Sequence, residues 1–140
     1  MEGETMTYTF IEHTSDIIIQ ATNKTFEMAL EDIASGMFTQ MASNSIKEKD
    51  SFVVTVTAPN REELVVNLFS EVIMECETIP FAPRSMKITL FKEKNAKVSV
   101  TAKVYGEKKL SENIIKAVTY HGLKVEKKQS EWLVEVLFDI

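Results

Sequence analysis

The chain predicts an α+β fold, a single domain over residues 1–140 built as a mostly antiparallel β-sheet with two amphipathic helices packed on it. Three observations predict it. Two stretches carry apolar residues at the three- and four-residue steps of a helix, and one strand-like run separates them. After the second stretch, four strand-like runs follow without a long helical segment between them, which is not the strand-helix alternation of a parallel sheet. With 44% hydrophobic residues, a chain of this length can bury a core without disulfides or structural zinc.

The elements follow in order. Tyr8 to Glu12 alternates weakly and Asp16 to Ala21 is β-branched and apolar, with Thr14-Ser15 between them as turn chemistry, so a strand, a short connection and a second strand are expected. His13 and Asp16 fall at that connection. From Thr25 the period changes: Phe26, Leu30, Ile33, Met37 and Met41 recur at helical steps, widened by Ala29, Ala34 and Phe38. Thr25 or Asn23 caps this helix, and its methionines are core filler.

Phe52 to Ala58 has strand composition and ends at Pro59. Asn60 with Glu63 three residues on has the form of a capping box, and Leu64, Val65, Leu68, Phe69, Val72, Ile73 and Cys76 make the buried stripe of a second helix. Pro80 and Pro83 bracket a loop. Strands are then expected over Met86 to Phe91, Ala96 to Tyr105, Ala117 to Glu126 and Trp132 to Phe138, separated by polar turn clusters. Glu107-Lys108-Lys109 and Lys127-Lys128 read as solvated turns.

Composition narrows the function classes. The net charge of −5 opposes a free-standing nucleic-acid binder, whose affinity comes from clustered Lys and Arg, so a protein or small-ligand partner is expected, with no stable direct nucleic-acid binding. The first residues lack a basic stretch followed by an apolar one, and no apolar run has membrane-spanning length, so a soluble, cytoplasmic protein with no membrane association is expected. The single cysteine, Cys76, lies in a buried helical pattern and reads as a small hydrophobe. There is no glycine-rich phosphate loop, paired-histidine zinc motif, Cys-x-x-Cys or serine elbow.

What remains is a set of polar residues in apolar surroundings: His13, Asp16, Lys116, Tyr120, His121, Asp139 and the Ile140 carboxylate. Asp139 precedes Ile140, so its side chain and the terminal carboxylate are neighbours, and the strand-like run before them would hold both against the folded body. Two anions fixed together call for a cation. With Asp16 in a similarly apolar setting, the donors are hard oxygens, which favours calcium or magnesium over zinc, while His13 keeps manganese or zinc open. The bland reading of the same residues is a frayed, solvated terminus without an ion. Lys116 either balances negative charge or meets a phosphate, or it is a surface lysine paired with Glu112 one helical turn back. His13 and His121 are general bases of a metal-dependent hydrolase in one reading and hydrogen-bonded structural histidines in the other. An RNA chaperone or adaptor is a third function class, opposed by the acidic balance.

Four segments resemble the archease family: Phe10-Ile11-Glu12-His13-Thr14-Ser15-Asp16, Ala34-Ser35-Gly36-Met37-Phe38, Ile115-Lys116-Ala117-Val118-Thr119-Tyr120-His121-Gly122-Leu123-Lys124-Val125, and Phe138-Asp139-Ile140. They span nearly the whole chain. The resemblance implies a small non-enzymatic protein that assists the RNA-splicing ligase in transfer-RNA splicing, promoting guanylylation of the ligase's active-site histidine and repeated turnover, and broadening the nucleotide triphosphates it accepts. It also implies calcium held by Asp16, Asp139 and Ile140, with Lys116 in the same functional cluster. Two departures stand out. The family's Asp-His-Thr-Ala-Asp-Ile-Gly is here Glu12-His13-Thr14-Ser15-Asp16-Ile17-Ile18, and the stretch Gly106 to Asn113 is shorter than usual and lacks a histidine often found there. Asp16, Lys116 and Asp139 are untouched by either.

Overall fold

The computed structural model describes residues 8–12, 15–43 and 45–140. Among these, the elements run β1 (Tyr8–Glu12), β2 (Asp16–Asn23), α1 (Phe26–Met41), β3 (Asp50–Ala58), α2 (Arg61–Thr78), β4 (Ala82–Lys94), β5 (Lys97–Glu107), β6 (Ala117–Lys128) and β7 (Glu131–Asp139). The expected α+β class holds, and every strand pairing is antiparallel. The strands divide between two sheets, of order β1-β2-β7-β6 and β3-β5-β4, a division the one-dimensional pattern does not carry. His13 and Thr14, the expected connection between the first two strands, lie outside the described residues.

Local chemistry starts each helix. Thr25 caps α1, its hydroxyl accepting the Met28 N–H at 3.1 Å, while Asn23 donates instead to Asp32 at 2.7 Å. Asn60 caps α2 by accepting the Glu63 N–H at 2.8 Å. The return bond differs from a capping box, since the Glu63 carboxylate accepts from the Asn60 side-chain amide at 3.1 Å. Both apolar stripes are buried as their spacing predicts.

Each helix packs against strands of both sheets, α1 on β2, β7 and β4, and α2 on β6, β3 and β5. The core is therefore shared by the two sheets. Phe69 of α2 meets Phe138 of β7 edge to face, with ring centroids 5.9 Å apart. Burying a side chain of that size contributes about 2–3 kcal/mol, which fixes the end of β7 immediately before Asp139.

One expectation needs correction. Pro83 belongs to β4, which begins at Ala82, and not to a loop. Proline is tolerated there because β4 is the edge of its sheet and a register shift falls between Pro83 and Ser85. Gly106 is its partner on β5, and a Cβ at Gly106 would lie 2.9 Å from the Pro83 Cα, so only glycine admits the proline's approach.

Candidate functional site

The β2–β7 register brings the sequence-predicted carboxylates together. Asp16 stands directly opposite Asp139, the first residue of one strand against the last of the other. The Ile140 N–H donates to the Ser15 carbonyl at 3.2 Å, so the next pair along is hydrogen-bonded and Asp16–Asp139 is a narrow, non-hydrogen-bonded pair. At such positions opposed Cα atoms are about 4.5 Å apart and their side chains emerge on the same face. Alternation decides which face. Ile17, Ile19 and Phe138 turn toward the core side, and Asp16 and Asp139, one residue out of phase, turn away from it.

The same register continues with Gln20 opposite Glu135, where the Gln20 amide donates to the Glu135 carboxylate at 2.7 Å. There a neutral donor meets an acid. At Asp16–Asp139 two acids meet, and the Ile140 carboxylate lies one residue further on.

Lys116 enters this corner from the other side. Its N–H donates to the Asp139 carbonyl at 2.8 Å, and Ala117 opens β6 opposite Asp139. Residue 115 anchors it: Ile115 is 1% exposed, whereas Lys116 beside it is solvent-facing. The segment before it is not helical, so the one-turn pairing of Lys116 with Glu112 loses its geometric basis. The Asn113 N–H donates to the Met41 carbonyl at 3.0 Å, tying that segment to the end of α1.

A cleft of about 600 Å³ opens at this corner, lined by Ser15, Gln40, Asn113, Ile114, Ile115 and Ile140. Gln40 belongs to the last turn of α1, which has no basic residue. The carbonyl end of a helix carries partial negative charge, so α1 adds to the field that favours a cation here.

The oxygen donors at the corner fit a hard divalent cation. Among the described residues no three His, Cys, Asp or Glu side chains form a metal-binding group, so a protein cage would need the Ile140 carboxylate as a third ligand beside Asp16 and Asp139.

His121 stands apart from the corner. It is exposed, four residues beyond the Asp139 partner Ala117, in a stretch where the β6–β7 register shifts between Thr119 and Lys124. Gly122 takes a positive φ of 66° inside that bulge, and the His121 N–H donates to the Thr119 hydroxyl at 3.3 Å. His13 falls outside the described residues. Cys76 is buried, and burial first, with Glu75 and Glu77 adding to it, pushes its thiol up to about 12, which agrees with a packing role and leaves it protonated at neutral pH.

Sequence reasoning missed the Ser15 carbonyl, which holds the Ile140 N–H and sets the narrow pair. A backbone acceptor leaves no trace in residue identity. A larger cleft, about 650 Å³, lies around Arg61 and Trp132 at the far end of β7, some seven residues and about 23 Å from Asp139.

The fold and the corner define a class: a small α+β protein of two antiparallel sheets whose final residues pair with its first long strand to gather carboxylates at one point. The profile of the archease protein family matches residues 8–140. Protein archease of Methanosarcina barkeri is 30% identical over 146 aligned residues that cover 100% of both chains. Protein archease of Pyrococcus abyssi is 33% identical over 92% of this chain and 95% of its own. The solution structure of Methanobacterium thermoautotrophicum protein 1598 has the same fold, with a TM-score of 0.82 at 21% identity over 97% of this chain and 100% of that one. The crystal structure of a Thermotoga maritima archease, described as a possible chaperone, gives a TM-score of 0.60 at 24% identity over 93% and 94%. The chain belongs to the archease family.

Proposed function

We propose that this protein is a non-enzymatic activator of the RNA-splicing ligase in transfer-RNA splicing, promoting guanylylation of the ligase and its repeated turnover and widening its choice of nucleotide triphosphate. The observation that carries the reading is the Asp16–Asp139 pair with Lys116 hydrogen-bonded alongside through its main chain. Family membership supports the ligase as partner.

In this reading Asp16, Asp139 and the Ile140 carboxylate hold calcium, with magnesium or manganese as substitutes. The oxygen-only donor set supports that choice. The bound ion supplies fixed positive charge at the corner. The protein's own residues do the rest. The paired strands keep the two carboxylates in register, buried Ile115 orients the backbone of Lys116, and the exposed Lys116 ammonium is free to approach a phosphate of the ligase-bound nucleotide. Neither role breaks a bond in this chain. The protein works in the cytoplasm in this reading, and no helix among the described residues is long and apolar enough to cross a membrane.

A metal-dependent hydrolase built on the same carboxylates would need a general base within hydrogen-bond reach of the ion-bound water. The exposed bulge position of His121 gives that alternative little support.

Ligase guanylylation and multiple-turnover joining, assayed with wild-type protein and with Asp16→Ala, Lys116→Ala and Asp139→Ala, test the proposal. Loss of stimulation in all three is expected; full stimulation by all three would remove the site. Turnover of nucleotide or RNA by the purified protein without ligase would favour the hydrolase.

A further inference from the structure

The two most exposed of the large hydrophobic residues described, Leu110 at 78% and Ile114 at 66%, lie in the connection between β5 and β6, a few residues before Lys116. That connection is not loose. The Lys109 N–H donates to the Glu107 carbonyl at 2.9 Å, Asn113 is tied to Met41, Lys116 is tied to Asp139, and Ile115 is buried as a plug. Ile114 also lines the corner cleft together with Ile140, itself 39% exposed. Apolar side chains held outward on a pinned backbone lose little freedom when a partner covers them.

We infer that Leu110, Ile114 and Ile140 form the apolar part of a protein-docking surface, whose partner presents an apolar socket bordered by cationic groups. Charge complementarity selects that partner. The apolar residues border the Asp16–Asp139 pair and the Ile140 carboxylate, so the opposing face must tolerate concentrated negative charge. A second copy docked by a two-fold axis would set one carboxylate corner against the other. RNA or an anionic membrane would bring further negative charge to the same place. A cationic, partly apolar protein face meets both requirements.

The choice of ligase as probe rests on the function proposed above; the experiment separates the two. Affinity for the RNA-splicing ligase of the same organism is measured by calorimetry for wild type, Leu110→Ser, Ile114→Ser, the double variant and Ile114→Leu, and guanylylation is measured for each at saturating protein. Thermal unfolding of each variant should match wild type, because both side chains face solvent. Ile114→Ser should weaken binding by about 30-fold and Leu110→Ser by about tenfold, with Ile114→Leu close to wild type and stimulation restored at saturation. Asp139→Ala should show the opposite split, binding kept and stimulation lost at saturation. A double variant that binds within twofold of wild type would overturn the docking surface and leave the carboxylate corner standing. Wild-type protein that does not bind the ligase would overturn both. Self-association, or binding to transfer-RNA halves, that is abolished by the double variant would assign the surface to a different occupant and overturn the inference.

Discussion

Asp16 and Asp139 face each other across β2 and β7 at a narrow pair of the antiparallel ladder, one residue beyond the hydrogen bond from Ile140 to Ser15. Like charges directly opposed on one sheet face cost roughly 0.2–1 kcal/mol, a cost that a bound cation reverses.

The first prediction separates those two effects. In chelator, Asp139→Asn should unfold at the same temperature as wild type or above it, gaining up to about 1 kcal/mol as the like-charge opposition disappears. In millimolar calcium the order should invert, because wild type gains the binding free energy of the ion and the variant does not. Thermal melts of both proteins with and without calcium check this, and an equal calcium-induced shift in the two would contradict it.

Lys116 should depend on its neighbour in the chain. Ile115 is buried to 1% exposure, and Ile115→Ala should cost about 2–4 kcal/mol through the cavity it leaves. Stimulation of the ligase should fall as well, measured well below the variant's melting temperature. Ile115→Val, which keeps most of the plug, should retain both properties.

Cys76 gives a pH dependence with a definite sign. Its folded-state value near 12 lies above the ordinary 9.0, so the unfolded chain releases this proton first as pH rises. The associated stability is complete below about pH 9 and is lost progressively toward pH 12. Between pH 8 and 10.5 the loss should be about 2 kcal/mol. Denaturant unfolding of wild type and Cys76→Ala across that range tests it: the variant should start lower, having lost a buried group, and fall less steeply.

Arg61 makes a stabilising contact remote from the carboxylate corner. Its guanidinium lies 4.3 Å from the Trp132 ring centroid, 4.7 Å from Phe26 and 5.2 Å from Phe91, and it is bidentate to Glu93 at 2.7 and 2.9 Å. Arg61→Lys keeps the charge but not the flat stacking fork, and should cost about 1 kcal/mol in denaturant unfolding. Ligase stimulation should be unchanged.

The helices were the most legible part of the sequence, because their apolar residues recur at steps that local periodicity reveals and Asn60 and one of two proposed caps, Thr25, mark their starts. Pro83 was misread as loop because a proline's tolerance in a strand depends on that strand being an edge, which is a property of the sheet and not of the residue. The bulge around Gly122 and the division into two sheets were invisible for the same reason. The carboxylate corner was half legible. The adjacency of Asp139 and Ile140 is covalent and can be read directly, whereas the pairing of Asp16 with Asp139 joins positions at opposite ends of the chain, and only their shared apolar setting and the family resemblance pointed to it. Leu110 and Ile114 did leave a signal, two bulky apolar residues in otherwise polar text from Glu107 to Asn113, but a signal of that kind does not say which way a side chain faces.

Calcium titration by calorimetry tests the carboxylate corner most directly, run on wild-type protein, on Asp16→Asn and Asp139→Asn, and on a protein extended by one residue beyond Ile140. One ion per chain should bind to wild type, and each of the three altered proteins should lose most of that affinity, the extension because it moves the terminal carboxylate. Equal calcium affinity in all four, or no calcium binding by wild type, would contradict the assignment of Asp16, Asp139 and Ile140 as one site.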